Sequence, residues 1–247
     1  MPAISIVNQK GGTGKTTTTI NLSTALAALD KKVLVVDMDS QGNLGYSFGI
    51  DEGKTIADVL EGEADLSEVV QEREGVFIAP SDMRLVDIEL SLADMENRQS
   101  LLQDRLSESF GEYDYVFFDC PPSLSVLSIN ALYSSDYVII PMLMEVLSLQ
   151  GLDQIIQSIS KINSAYNKNL EILGILPVMV DKRRKLSEEV REHIKGNYEV
   201  NIFDTFIRNN VKASEAPSFG SSVISYAPKS NSAKDYNAFA KEIVALI

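Results

Sequence analysis

Seven short apolar runs punctuate the chain: AISIV (3–7), VLVVD (33–37), VFIAP (76–80), YVFFD (115–119), YVIIP (137–141), ILGILPVMV (172–180) and VNIFDTFI (200–207). Each is almost continuously apolar and rich in β-branched residues, as strands covered on both faces must be. Between them lie amphipathic stretches. Helices are predicted from Thr16 to Leu29, from about Arg84 to Phe110, between Leu147 and Tyr166, and from near Ser232 to the end. In the third, Leu149, Leu152, Ile155, Ile156 and Ile159 recur at spacings of three and four, which draws one face of a helix. This alternation predicts an α/β fold: a doubly wound, mostly parallel sheet with helices on both faces. The 247 residues suit one such unit with an ample core. No repeat, linker or boundary divides them, so 1–247 is expected to be a single domain. A first strand at residue 3 leaves no room for an N-terminal DNA-binding extension.

Composition removes several classes of chemistry. Cys120 is the single cysteine; it excludes an intrachain disulfide and a thiolate-held cluster, fits a reducing cytoplasm, and is expected to be a small buried hydrophobe. His193 is the single histidine, within the charged stretch REHIK, so a histidine metal site or catalytic triad is not expected. The net charge is −13, from 22 basic and 35 acidic residues, which argues against a histone-like nucleic-acid binder but not against a local basic patch. No run is long enough to span a membrane, and no signal peptide precedes AISIV. The C-terminal stretch KDYNAFAKEIVALI has too few cations for a membrane-surface anchor and is expected to pack on the sheet.

Three strand ends carry the polar chemistry. The first is AISIV, then NQKGGTG, then KTTTTINLSTALAAL. It reads as a phosphate-binding loop, in which glycines let the backbone wrap phosphate oxygens and the following helix directs its positive end at them. Lys15 supplies a cation for the outer phosphates and the Thr16 hydroxyl a ligand for Mg²⁺. The usual G-x-x-x-x-G-K-[ST] spacing would put a glycine at position 9, where this chain has Gln9 followed by a second cation, Lys10. The second strand end is VLVVDMDSQGN, with Asp37 and Asp39 on one side of the chain at the edge where open α/β sheets bind ligands. The third is YDYVFFDCPPSLS, an apolar strand ending in Asp119, a metal-orienting acid by pattern, with Pro121 and Pro122 stopping the strand.

Together these motifs resemble the ParA/MinD ATPases, whose deviant phosphate loop (Walker A) carries the extra lysine found here as Lys10. VDMDSQGN and DCPPSLS are similar to the Soj-type ParA versions, and residues 210–236 resemble the segment that holds adenine and reaches DNA in those proteins. The resemblance implies a deviant P-loop ATPase using ATP and Mg²⁺. Nucleotide would be held by Lys10, Gly11, Gly12, Thr13, Gly14, Lys15, Thr16, Thr17 and Asn210, and Mg²⁺ approached by Thr16, Asp37 and Asp119. It implies a homodimer closed face to face around two ATP molecules, with Lys10 reaching the partner's nucleotide as an arginine finger would. Asp39 matches the acid that positions or activates the attacking water, so Lys10, Lys15 and Asp39 are the implied catalytic set. Where the family commonly has Pro-Arg-Asn before the adenine segment, this chain has Arg208-Asn209-Asn210.

Soj-like proteins bind double-stranded DNA without sequence preference as ATP dimers, and a ParB-like or other adaptor stimulates hydrolysis. Arg183 and Arg184, in the densest basic run (182–185), and Lys212 and Lys229 are the candidate DNA contacts. Phosphate binding needs clustered cations and no base readout, and two-fold symmetry doubles each cluster. The expectation is a cytoplasmic, nucleoid-associated ATPase that segregates a plasmid or chromosome. Alternatives are a relative that positions a protein cargo, such as a chemoreceptor cluster or carboxysome, a MinD-like membrane ATPase, and a nucleotide-gated adaptor without turnover. An iron–sulfur reductase needs more than Cys120.

Overall fold

The computed structural model describes residues 1–93, 95–166, 169–181 and 185–247, with the side chain of Lys185 excepted. In chain order the elements are β1 (Ala3–Ile6), α1 (Lys15–Ala27), β2 (Val33–Asp37), α2 (Asn43–Ser47), α3 (Ile56–Glu61), α4 (Leu66–Val69), β3 (Gln71–Arg73), β4 (Val76–Ala79), α5 (Arg84–Leu92), α6 (Leu101–Phe110), β5 (Tyr115–Asp119), α7 (Val126–Tyr133), β6 (Tyr137–Leu143), α8 (Leu147–Tyr166), β7 (Glu171–Val178), α9 (Lys185–Asn197), α10 (Val211–Glu215), α11 (Val223–Tyr226) and α12 (Asn231–Leu246). The strands form a seven-stranded sheet in the order β3-β4-β2-β5-β1-β6-β7, parallel except for β3.

Alternation along the strands divides the core. Ile4, Ile6, Val33, Val35 and Phe117 point into one layer with Leu22 and Leu26 of α1 and Tyr236, Phe239 and Ile243 of α12. Leu34, Val36, Val116 and Phe118 point into the other, against Leu102, Leu106, Leu127, Leu152 and Ile155. Both faces are covered, which is why the strands read as unbroken apolar runs. The C-terminal helix packs in the core as expected, and no described helix is long and apolar enough to cross a membrane.

Two expectations change, and one strand is added to those expected. The run 200–207 is not a strand: it meets the sheet through isolated bridges, Ile175 with Ile202 and Val180 with Arg208. Between them the Asp204 and Thr205 amides donate to the Glu242 carboxylate of α12, at 2.8 and 2.9 Å, so helix rather than β7 satisfies that backbone. The stretch 84–110 is two helices. Asn97 adopts a left-handed φ of 57°, and Asn130 of α7 accepts from the Leu102 amide at 3.0 Å while donating to Arg98 O at 2.7 Å. A side chain from another helix thus caps the new start. Finally, β3 pairs antiparallel with β4 across Glu74 and Gly75, whose φ values of 51° and 77° make the two-residue turn that suits hairpin twist. Its sequence, QER, is polar because it forms the sheet edge.

Candidate active site

Strand register assembles the site. Ile6 lies opposite Asp119 across β1 and β5, and Asp37 lies opposite Asp119 across β2 and β5. The phosphate loop therefore leaves β1 directly beside two buried carboxylates. Asn8, itself buried, braces the loop's first turn: its amide donates to Pro141 O at 2.7 Å and its Oδ1 accepts from the Lys10 amide at 3.0 Å. The Thr13 hydroxyl donates to Lys10 O at 3.1 Å. Gly12 and Gly14 take the left-handed turns, with φ of 72° and 76°, whereas Gln9 and Gly11 do not. Gln9 in place of glycine is thus accommodated because the left-handed turns fall later, at Gly12 and Gly14. α1 starts immediately after Gly14, with no side-chain cap on its first amides, so the N–H groups of Lys15, Thr16 and Thr17 remain available to an anion.

The two lysines of the loop separate. Lys15 is 8% exposed, and burial lowers its pKa while Asp119, Cys120 and Asp39 oppose that shift. Lys10 turns outward to Glu145, two residues beyond β6, with Nζ 3.6 Å from the carboxylate and 44% of its side chain exposed.

Asp37 is fully buried; its oxygens accept from the amides of Asp39 at 3.0 Å and Leu44 at 3.3 Å. Burial and then the Asp119 charge hold its pKa well above the carboxylate range. Asp119 is pushed up to about 6, first by burial, with hydrogen bonds from Thr16 and Thr19 and the Lys15 charge working against it. Thr19 Oγ1 lies 3.0 Å from Asp119 Oδ1 and 3.1 Å from Lys15 O, a partner that the motif pattern alone does not reveal. Two apposed buried acids beside a hydroxyl suit a divalent cation. Among the described residues no group of three or more His, Cys, Asp or Glu forms a closed cage. This donor set fits Mg²⁺, which keeps several waters and takes one or two carboxylates together with substrate phosphates. Asp39 is half-buried, two residues beyond Asp37, with Oδ1 accepting from the Gln41 amide at 3.1 Å. Cys120 is buried, with its thiol pushed up to about 12 by that burial, and is inert. His193 is exposed on α9.

Beyond the loop opens a cleft of about 460 Å³, lined by Val180, Asp181, Arg208, Asn209, Asn210 and Asn231 among others. Met179, at φ 52°, joins it to the phosphate loop: its Cε would lie 4.0 Å from a Cβ on Gly14. Asn210 caps α10, accepting from the Lys212 amide at 2.9 Å, and its Nδ2 is left to donate. Arg208 does not reach into the cleft freely. Its guanidinium grips Asp235 of α12, with Nη2–Oδ1 at 2.6 Å and Nε–Oδ2 at 2.9 Å, and its amide donates to the same carboxylate. The arginine that departs from the family pattern is therefore a brace between the cleft and α12. Of the expected DNA contacts, Lys229 is exposed, while Lys212 is paired with Glu215 at 2.7 Å and lies over the Tyr226 ring. Arg183 and Arg184 lie outside the described residues.

Known proteins resemble this chain over nearly its whole length. A family model described as an AAA domain matches residues 1–172. The chromosome partitioning protein ParA of Caulobacter vibrioides is 39% identical over 249 residues, covering 98% of this chain and 93% of its own. The sporulation initiation inhibitor protein Soj of Bacillus subtilis is 38% identical over 247 residues, covering 98% of each. Among solved structures, cobyrinic acid a,c-diamide synthase from Mycobacterium smegmatis with bound ADP and magnesium superposes with a TM-score of 0.87 at 31% identity, over 99% of this chain and 94% of that one. An AAA-type phosphate loop, paired acids at the ends of β2 and β5, and full-length similarity to ParA and Soj place the chain in one family: it is a Soj-type member of the ParA/MinD deviant Walker A ATPases.

Proposed function

We propose that this chain is the ATPase of a DNA-partitioning system, a cytoplasmic protein that binds ATP with Mg²⁺, closes as a two-fold sandwich dimer, holds nucleoid DNA through phosphate contacts, and lets go after hydrolysis stimulated by a ParB-like adaptor. The observation that carries this reading is the divergence of the two loop lysines. Lys15 is enclosed beside Asp119, whereas Lys10 projects to the rim against Glu145. A half-exposed ion pair is worth only about 0–1 kcal/mol, so Lys10 readily exchanges Glu145 for a more highly charged phosphate on a facing subunit.

Within one subunit, the amides at the start of α1 and the Lys15 ammonium hold the β- and γ-phosphates. The Thr16 hydroxyl, Asp37 and Asp119 would hold Mg²⁺. Bound there, the metal neutralises charge on the phosphate oxygens. Asp39 orients the attacking water, since the chain's single histidine lies on α9. Asn210 presents its free amide donors to the base.

An acidic protein of net charge −13 binds DNA only where cations cluster, and dimerisation doubles every cluster. Filter binding of random-sequence duplexes with ATP and with ADP tests this. With roughly six phosphate contacts, the ATP form loses about a thousandfold in affinity between 50 and 200 mM salt, and the ADP form binds weakly throughout. Equal affinity in the two nucleotide states contradicts the proposal.

A further inference from the structure

The loop that carries Asp39 is held from outside by a residue that none of the three motifs contains. Ser81, two residues beyond β4 and 8% exposed, donates its hydroxyl to Asp39 O at 2.5 Å. The two loops also touch through their backbones. Gly42 has a φ of 64°, and a Cβ there would sit 3.1 Å from Ser81 O. Glycine suits this approach, because a side chain is strained at that φ and its Cβ would crowd the Ser81 carbonyl.

Ser81 is in turn set in a rigid frame. Pro80 O accepts from the Ile56 amide at 2.8 Å, and Asp82 accepts from the Thr55 hydroxyl at 2.7 Å. Arg84 then ties Asp82 at 2.8 Å, Asp58 at 2.7 Å and Glu61 at 3.3 Å, which locks the start of α5 to α3. Side chains fixed by several partners hold a reacting geometry better than a mobile loop does.

We propose that Ser81 is a positioning residue for ATP hydrolysis. Its hydroxyl fixes the Asp39 carbonyl, and through it the aim of the Asp39 carboxylate at the attacking water, while making no contact with nucleotide itself. This rests on the reading of Asp39 given above. A residue acting through Asp39 has a signature: it changes turnover but not nucleotide affinity, and it has no effect once Asp39 is gone.

The test is single-turnover phosphate release together with ATP affinity, measured on Ser81→Ala, Ser81→Cys, Ser81→Thr, Asp39→Ala and Ser81→Ala/Asp39→Ala. Ser81→Ala and Ser81→Cys should slow hydrolysis about tenfold, the kinetic equivalent of one lost hydrogen bond, with ATP affinity within about twofold of the parent. Ser81→Thr should stay near the parent rate, and the double variant should match Asp39→Ala alone. Parent-like turnover in both Ser81→Ala and Ser81→Cys, beside a slow Asp39→Ala, overturns the role of Ser81 and leaves Asp39 standing. A further tenfold loss in the double variant, or a loss of ATP affinity that matches the loss of rate, also overturns it. Parent-like turnover in Asp39→Ala removes the reading of Asp39 and the proposal with it.

Discussion

The ends of β1, β2 and β5 and the segment from 200 to 236 are built by different physics. In the first region, backbone register does the positioning: pairing Ile6 with Asp119 and Asp119 with Asp37 brings loop and acids together. In the second, side chains hold irregular backbone from a distance. Glu242 satisfies the amides of 204 and 205, and Asp235 grips Arg208. Asn210, Ser222 and Ser230 cap the short helices and the last helix that follow. Register tolerates substitution at any one side chain, whereas a single carboxylate can carry a whole turn of the rim. The central region should therefore fail through chemistry and the rim through geometry.

The largest expected effect tests the centre. Lys15→Ala removes the enclosed cation and leaves Asp119 without it, so ATP affinity should drop by about 10²- to 10³-fold while the fold persists. Titration with a fluorescent ATP analogue, alongside circular dichroism, measures both. Retained affinity would mean that loop amides alone hold the phosphates.

At the rim, Asp235→Ala strands a largely covered Arg208. It should destabilise the protein by about 1–2 kcal/mol in urea unfolding and weaken ATP binding through the displaced 208–210 turn, with hydrolysis of bound ATP unchanged. If turnover falls instead, the rim reaches the chemistry directly and the contrast between the regions breaks down.

Legibility in the sequence followed the same division. The centre could be read because strand periodicity and the Gly-Lys-Thr spacing act locally, and β1, β2 and β5 lie within a residue of expectation. The run 200–207 misleads because Ile202, Phe203 and Ile207 are buried in the core while the run pairs with β7 only at isolated points. Phe203 fills the space beside Gly174, where a Cβ would come within 2.8 Å of its ring, and Glu242 takes the amides that a strand would have paired. The break in 84–110 is hidden because the capping residue, Asn130, is 28 residues from the Leu102 amide it accepts. Ser81 is invisible for the same reason: its partner Asp39 is 42 residues away. Asn8 and Thr19, by contrast, sit inside the motif and escape notice only because their roles are structural.

Two smaller effects sharpen the comparison. Lys229→Glu should weaken DNA binding by the ATP form and reduce the magnitude of the salt slope by about 1 for each phosphate it no longer neutralises. Dimerisation should stay intact, because Lys229 is exposed and outside the nucleotide cleft. No change in slope would remove this part of the rim from the DNA surface. The smallest effect concerns the frame behind Ser81. The Arg84 hydrogen bond lowers the Asp58 pKa to about 2. Its contribution to stability is therefore complete above about pH 4 and is lost as pH falls toward about 2. The stability gap between the parent protein and Arg84→Met should be constant from about pH 7 to 5 and should shrink below about pH 4. A gap that widens in acid would contradict the assigned pair.

The central claim is that one loop carries two lysines with separate tasks, Lys15 for its own nucleotide and Lys10 for the partner's. Sedimentation velocity of Lys10→Ala, with ATP in the presence of Mg²⁺ and with hydrolysis blocked by Asp39→Ala in both samples, tests it most directly. The Asp39→Ala parent should sediment as a dimer, and the Lys10→Ala/Asp39→Ala protein as a monomer that still binds ATP. A normal ATP-dependent dimer without Lys10 would contradict the account.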